Sequence, residues 1–226
     1  MISLIALLKE GKVEKISFEE AKSKKFFGPI YHGTSPEKRE VIDREGFKIF
    51  YDDSRSGGTS HGYYLMSYYG GIPAPIHHLG FGVYMTTVKS IAKKYNYGSV
   101  RGLKIYYAKV PRLETINFGA PHTMMKWWLN NGYNYDVKSP EKLFENPKTN
   151  LAAIKAERYK ATLEMTNYLK SKFDAVWFKG KSMYTLLDGD QVCIYNPDNI
   201  YELDISTLPR PERVVAKIDI VNDTYN

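Results

Sequence analysis

The sequence predicts an α+β fold, and three observations carry that expectation. Strand-like runs outnumber helical ones, helices interrupt them at irregular intervals, and no regular strand–helix–strand alternation builds a doubly wound sheet. A chain of 226 residues, 43% hydrophobic and 25% charged, fits one globular domain with additions. It is long enough to bury a core without covalent staples.

Taken in order, the first ~25 residues read as a short apolar helix, a strand-like Val13-Glu14-Lys15-Ile16 and a second short helix. Ser17 stands at the N-cap of that second helix with Glu20 three residues on, a capping-box pattern. Phe27 to Tyr31 reads as a strand that delivers His32 to a turn. Ser35-Pro36 then starts a helix, with proline at its first position, and Gly46 ends it. Residues 52–80, rich in Gly, Ser, Tyr and His, read as a long loop. Gly82 to Thr86 is a short strand, and Thr87 is placed to cap a helix through Ile91, Ala92 and Tyr95. Leu103 to Val110 is a strand rich in aromatic and β-branched residues. Residues 117–150 read as an insertion with one or two short helices, and Leu151 to Lys172 has a helical period. Strands over Asp174–Phe178, Gln191–Tyr195 and Ile200–Leu203 complete the chain, the last two separated by Asn196-Pro197-Asp198-Asn199. The expected organisation is an N-terminal extension over 1–26, a main domain over 27–205 and a C-terminal tail over 206–226.

Several function classes lose their basis. One cysteine, Cys193, excludes an intramolecular disulfide and a four-cysteine zinc site, and fits a reducing compartment. No Gly-x-Gly-x-x-Gly or Walker-type loop argues for a dehydrogenase or an ATPase. The N-terminus has no basic n-region and no small-residue cleavage site, and no run approaches the ~20 apolar residues of a membrane span. The expectation is a cytoplasmic protein with no membrane partner. A net charge of +7 suits an acidic partner such as nucleic acid or a nucleotide, and suits a merely basic surface equally well.

Three separated segments carry chemistry together. They are Tyr31-His32-Gly33-Thr34-Ser35, then Gly80-Phe81-Gly82-Val83-Tyr84-Met85-Thr86 with Ala92 and Tyr95 beyond, then Gln191-Val192-Cys193-Ile194-Tyr195-Asn196-Pro197. In order and local structure they resemble the ADP-ribosyltransferase superfamily, in its diphtheria-toxin and poly(ADP-ribose) polymerase branch. The resemblance implies a split β-sheet core with flanking helices and NAD as substrate, with no metal expected. It implies His32, Tyr84 and Gln191 as the catalytic set, and His32, Gly33, Thr34, Tyr84 and Tyr95 as the NAD-binding set. His32 would bond a ribose hydroxyl, and Gly33 would offer its backbone to the nicotinamide carboxamide. Tyr84 and Tyr95 would sandwich the ring, and Thr34 would place a small hydroxyl nearby.

Gln191 departs from the family's glutamate. An amide oxygen accepts the same hydrogen bond from a ribose hydroxyl without the charge that makes such bonds roughly twice as strong. Single ADP-ribose transfer to a protein or nucleic-acid acceptor, rather than polymer synthesis, is the resulting expectation. NAD hydrolysis and a catalytically silent NAD- or ADP-ribose-binding module are the alternatives, with a basic nucleic-acid-binding protein behind them. Ala92, where many relatives place a serine, removes a further contact.

The remaining conspicuous residues have plainer expectations. Asp188 and Asp190 read as a base for the acceptor or as a solvated turn. His61, His77, His78 and His122 read as loop surface rather than metal ligands. Cys193 reads as a buried small hydrophobe. Trp127 and Trp128 read as helix packing with one ring exposed, or as an acceptor platform, and Tyr63, Tyr64, Tyr68 and Tyr69 as loop packing or a base-stacking surface.

Overall fold

The computed structural model describes residues 12–51, 75–94, 103–117, 121–134, 151–179 and 190–209. Alternating side chains along the strands generate two four-stranded sheets, and the fold is α+β as the sequence predicts. The first sheet orders β1 (Glu14–Ile16), β8 (Ile200–Leu203), β4 (Ile105–Ala108) and β2 (Phe27–Tyr31). The second orders β3 (Val83–Met85), β7 (Gln191–Ile194), β6 (Ala175–Lys179) and β5 (Leu113–Asn117). Only the β1–β8 and β5–β6 pairs are parallel. A parallel pair needs a crossover, and α4 (Pro121–Asn130) and α5 (Leu151–Lys172) lie between β5 and β6 in the chain.

Period-two alternation sorts the apolar residues into three layers. Between the sheets, Ile30, Tyr106 and Ala108 meet Val83, Met85, Val192 and Ile194. On the far face of the second sheet, Val176, Phe178 and Cys193 pack on Met124 and Trp128 of α4 and on Ala161, Met165 and Leu169 of α5. On the outer face of the first sheet, Ile16, Tyr107 and Leu203 cover Ala21 of α1 (Phe18–Ser23). Tyr106 and Tyr107, adjacent on β4, thus serve opposite faces. The two sheets touch at one described bridge, where Tyr31 N–H bonds Thr86 C=O at 2.8 Å and Thr86 N–H returns to Tyr31 C=O at 3.0 Å.

Local signals act as the sequence suggests in most places. The Ser17 hydroxyl accepts the Glu20 N–H at 3.2 Å, although the Glu20 carboxylate turns to Lys24 instead of closing the capping box. Pro36 opens α2 (Pro36–Glu45) and Gly46 ends it. Three differences stand out. Strand β5 was not expected; its polar Glu114 and Asn117 mask the pattern, and its order comes from β6 beside it, where the paired Arg112 and Asp174 bracket both strand starts. The Thr87 hydroxyl, expected at the cap of α3 (Lys89–Lys94), instead donates to Asp190 across the sheet. The segment expected as an insertion supplies core through Met124, Trp128 and Tyr133.

Residues 75–80, expected as the end of a loop, are largely buried and held by helix α5. Thr162 and Thr166, one turn apart and both fully buried, accept the Ile76 N–H at 3.0 Å and the Phe81 N–H at 2.9 Å. Each hydroxyl donates back to the carbonyl four residues earlier in the helix. A buried amide without an acceptor costs about 1–3 kcal/mol, so these two side chains set where the segment lies.

Gly82 enables the closest approach between β3 and β7: a Cβ there would lie 2.5 Å from Cys193 Sγ and 2.8 Å from the Ile194 carbonyl oxygen. Gly82→Ala is therefore expected to destabilise the fold by about 1–3 kcal/mol through overpacking. A urea melt showing an unchanged midpoint would contradict this packing.

Candidate active site at the junction of the two sheets

The Tyr31–Thr86 bridge brings the ends of β2 and β3 together. His32 leaves β2 just past the bridge, and Tyr84 lies on β3 just before it. Both line one cavity of about 420 Å³, as does Thr34. Its other walls come from α2 and the residues after it (Lys38, Ile42, Phe47) and from the α5-bound segment (His77, Phe81). The lining is thus largely aromatic and aliphatic, with two lysines, Lys38 and Lys48, on the α2 side.

His32 packs edge-on against Phe47, ring centroids 5.1 Å apart. Burial, reinforced by the Arg39 guanidinium, pushes its pKa down to about 3, so the imidazole is neutral at physiological pH. Its Nδ1 is buried and has no hydrogen-bond partner. The Tyr84 phenol accepts the Leu79 N–H at 3.0 Å and donates to the Gly80 carbonyl at 2.9 Å. With burial also raising its pKa well above the usual value, that hydroxyl is committed to the backbone. What Tyr84 presents is its ring.

Gln191 does not line this cavity. It begins β7 opposite Phe178 of β6, and lies two residues before Cys193, which pairs with Tyr84. Alternation therefore puts Gln191 and Tyr84 on one face of the second sheet, with Gln191 Oε1 buried and unpartnered. Gly33 is half-buried and Ala92 fully buried. Tyr95, Asp188, His61 and Tyr63, Tyr64, Tyr68 and Tyr69 lie outside the described residues, as does the side chain of His122.

Asp190 is a bonded anchor rather than part of a solvated turn. One of its carboxylate oxygens accepts the Thr87 N–H at 3.2 Å, the Thr87 hydroxyl at 2.7 Å and the Trp177 indole N–H at 3.1 Å. It ties the end of β3 to β6 and sets the start of β7, one residue before Gln191. Cys193 is fully buried, and burial pushes its thiol well up, as a packing residue requires.

The paired histidines were expected at the surface and are not there. His77 lines the cavity with its ring against Phe81 and Tyr84. His78 stacks on Trp128 at 5.6 Å, its backbone carbonyl accepts the Trp128 indole N–H, and its own Nδ1 is buried without a partner. Trp128 is buried and Trp127 half-buried against the same layer, so neither ring is fully exposed. Sequence reading also passed over Arg39, Phe47 and Lys38; the usable signal was Arg39 standing three residues before Ile42 on an otherwise polar helix, the spacing of one helical face.

No protein-family model matches the chain, and no curated protein matches it in sequence. Among the described residues no group of His, Cys, Asp or Glu side chains could hold a metal ion, and no helix is long and apolar enough to cross a membrane.

His32 and His78 make stability depend on pH in a defined direction. Both are held neutral in the fold, His32 at about 3 and His78 at about 4, mainly by burial. Unfolded, they protonate near the ordinary value of about 6.5, so below it the unfolded chain takes up protons that the folded chain refuses. Stability is full above about pH 6.5 and falls as pH drops toward the folded values. Melting temperatures measured between pH 7 and 5 should decline, and the decline should be shallower in His78→Gln. An equal slope in the variant would rule out a neutral buried His78.

Proposed function

We propose that this chain binds NAD, cleaves the bond between nicotinamide and ribose, and transfers a single ADP-ribose to a macromolecular acceptor, protein or nucleic acid. The observation that carries the reading is a pair of buried polar atoms without partners among the described residues, Nδ1 of the cavity-lining His32 and Oε1 of Gln191 on the sheet face that carries Tyr84. An unmet buried polar atom costs about 1–3 kcal/mol, a cost that ligand hydroxyls would relieve. The three motifs that resemble the ADP-ribosyltransferase superfamily supply these same residues, and two four-stranded sheets meeting at a bridge suit its split-sheet core.

In this reading the neutral His32 imidazole hydrogen-bonds a ribose hydroxyl of the adenosine half. The Tyr84 ring stacks on the nicotinamide, worth about 0.5–1.5 kcal/mol beyond the area buried. Gly33 and Thr34 meet the carboxamide, and the resemblance assigns Tyr95 to the other side of the ring. Lys38 and Lys48 lie on the cavity wall where a dinucleotide's phosphates need positive charge. As the glycosidic bond breaks, nicotinamide leaves with the bonding electron pair and positive charge grows on the ribose. Gln191 accepts a hydrogen bond from a hydroxyl of that ribose and so holds the sugar for attack. The acceptor's nucleophilic atom then bonds to C1′ and releases its proton.

One observation favours a second reading, a module that binds NAD or ADP-ribose without turnover: the third motif offers an amide where charge would help most. NAD labelled in the adenylate phosphate separates the two. Incubated in lysate with and without nuclease, the active protein labels a macromolecule and releases nicotinamide; labelling that persists after nuclease and vanishes with protease identifies a protein acceptor. Nicotinamide release without label indicates hydrolysis, and neither signal leaves only binding. His32→Ala and Tyr84→Ala should each lower activity at least tenfold, and Gln191→Ala should be more damaging than Asp188→Ala. Full activity in either of the first two would remove the site from consideration.

A further inference from the structure

We infer that Arg39 is a positioning residue for this site: its guanidinium pins the His32 carbonyl and thereby fixes the direction of the His32–Gly33 peptide. Arg39 is only 8% exposed, on the face of α2 turned toward β4. A buried guanidinium is ordinarily paired with a carboxylate, because an unpaired buried charge is expensive. Here its hydrogen bonds among the described residues go elsewhere. One Nη donates to the Tyr106 hydroxyl, and the other to the carbonyl of His32 at 2.7 Å. The nearby acids, Asp43 on α2 and Glu202 on β8, are both bridged by Lys104, at 2.7 and 2.6 Å. With both acids held by Lys104, the Arg39 donors go to a phenol and to the backbone.

That carbonyl belongs to the peptide joining His32 to Gly33. A trans peptide is planar, with its C=O and N–H pointing in opposite directions. Pinning the oxygen toward Arg39 therefore aims the Gly33 N–H away from it, and holds the His32 backbone just where its side chain turns to the cavity. The inference rests on the reading that Gly33 meets the nicotinamide carboxamide. A charge-assisted bond to the backbone suits this task better than packing, since it fixes an orientation.

The test compares Arg39→Met, Arg39→Lys and Tyr106→Phe with the parent protein, following the Gly33 amide and the His32 ring by NMR and NAD affinity by calorimetry. In Arg39→Met the Gly33 amide should shift and exchange faster, and NAD should bind at least tenfold more weakly. His32 should also titrate at a higher pH, since one of the charges holding it neutral is gone; Tyr106, Asp43, Glu202 and Lys104 are unchanged in that variant. Arg39→Lys should keep the low His32 titration and recover part of the affinity. Tyr106→Phe, which leaves the His32 bond but frees the other end of the guanidinium, should give a smaller shift of the same sign and serves if Arg39→Met does not fold. An unmoved Gly33 amide in the folded variants overturns the inference. If the parent protein binds no NAD while the Gly33 amide still moves, the NAD reading falls and the positioning role stands; if NAD binds parent and variants alike, the reverse holds.

Discussion

Two hydrogen bonds between Tyr31 and Thr86 hold the ends of β2 and β3 side by side, and the geometry of the candidate site hangs on them. Each sheet is otherwise self-contained, with its own ladder and its own outer layer of helix. The apolar layer between the sheets holds them together without choosing a register, because apolar contact is not directional. The bridge makes that choice. Because the bridge is antiparallel, it puts His32, the first residue beyond β2, beside Met85 at the end of β3, while Thr87 runs on past the bridge and is secured by Asp190.

The polar groups around this junction fall into two classes. The Tyr84 phenol, Asp190, Thr162, Thr166 and Arg39 are each engaged by backbone or side-chain partners and act as scaffolding. His32 Nδ1 and Gln191 Oε1 are buried and left unmet. His78 Nδ1 and Trp127 Nε1 are buried and unmet as well, so it is the place of His32 on the cavity wall, together with its unmet atom, that marks it out for a ligand.

Much of this was legible in the sequence where the signal is local. Proline at the start of α2, glycine at its end, and the alternation through Val83–Met85 and Gln191–Ile194 all express short-range physics, and the structure follows them. His32, Thr34 and Tyr84, singled out from separate segments, line one cavity. What could not be read depends on partners distant in the chain. Strand β5 exists because β6, some sixty residues later, offers it a ladder. His77 and His78 sit inside because Thr162 and Trp128 draw their segment inward, and nothing near residue 77 announces that. Arg39 looks like surface charge on a polar helix until the backbone of His32 arrives beside it.

The paired threonines of α5 have a consequence for motion. Each hydroxyl donates within the helix and accepts from the segment, so sliding the helix by even one residue would strand two buried amides at once. The 76–81 segment and α5 are thereby geared together as a single rigid jaw of the cavity, Tyr84 included through its bonds to Leu79 and Gly80. The same helix reaches the opposite wall through the residue that follows it: the Tyr51 carbonyl accepts the Tyr159 hydroxyl at 3.3 Å, and the Tyr51 hydroxyl accepts from Lys170 at 2.9 Å.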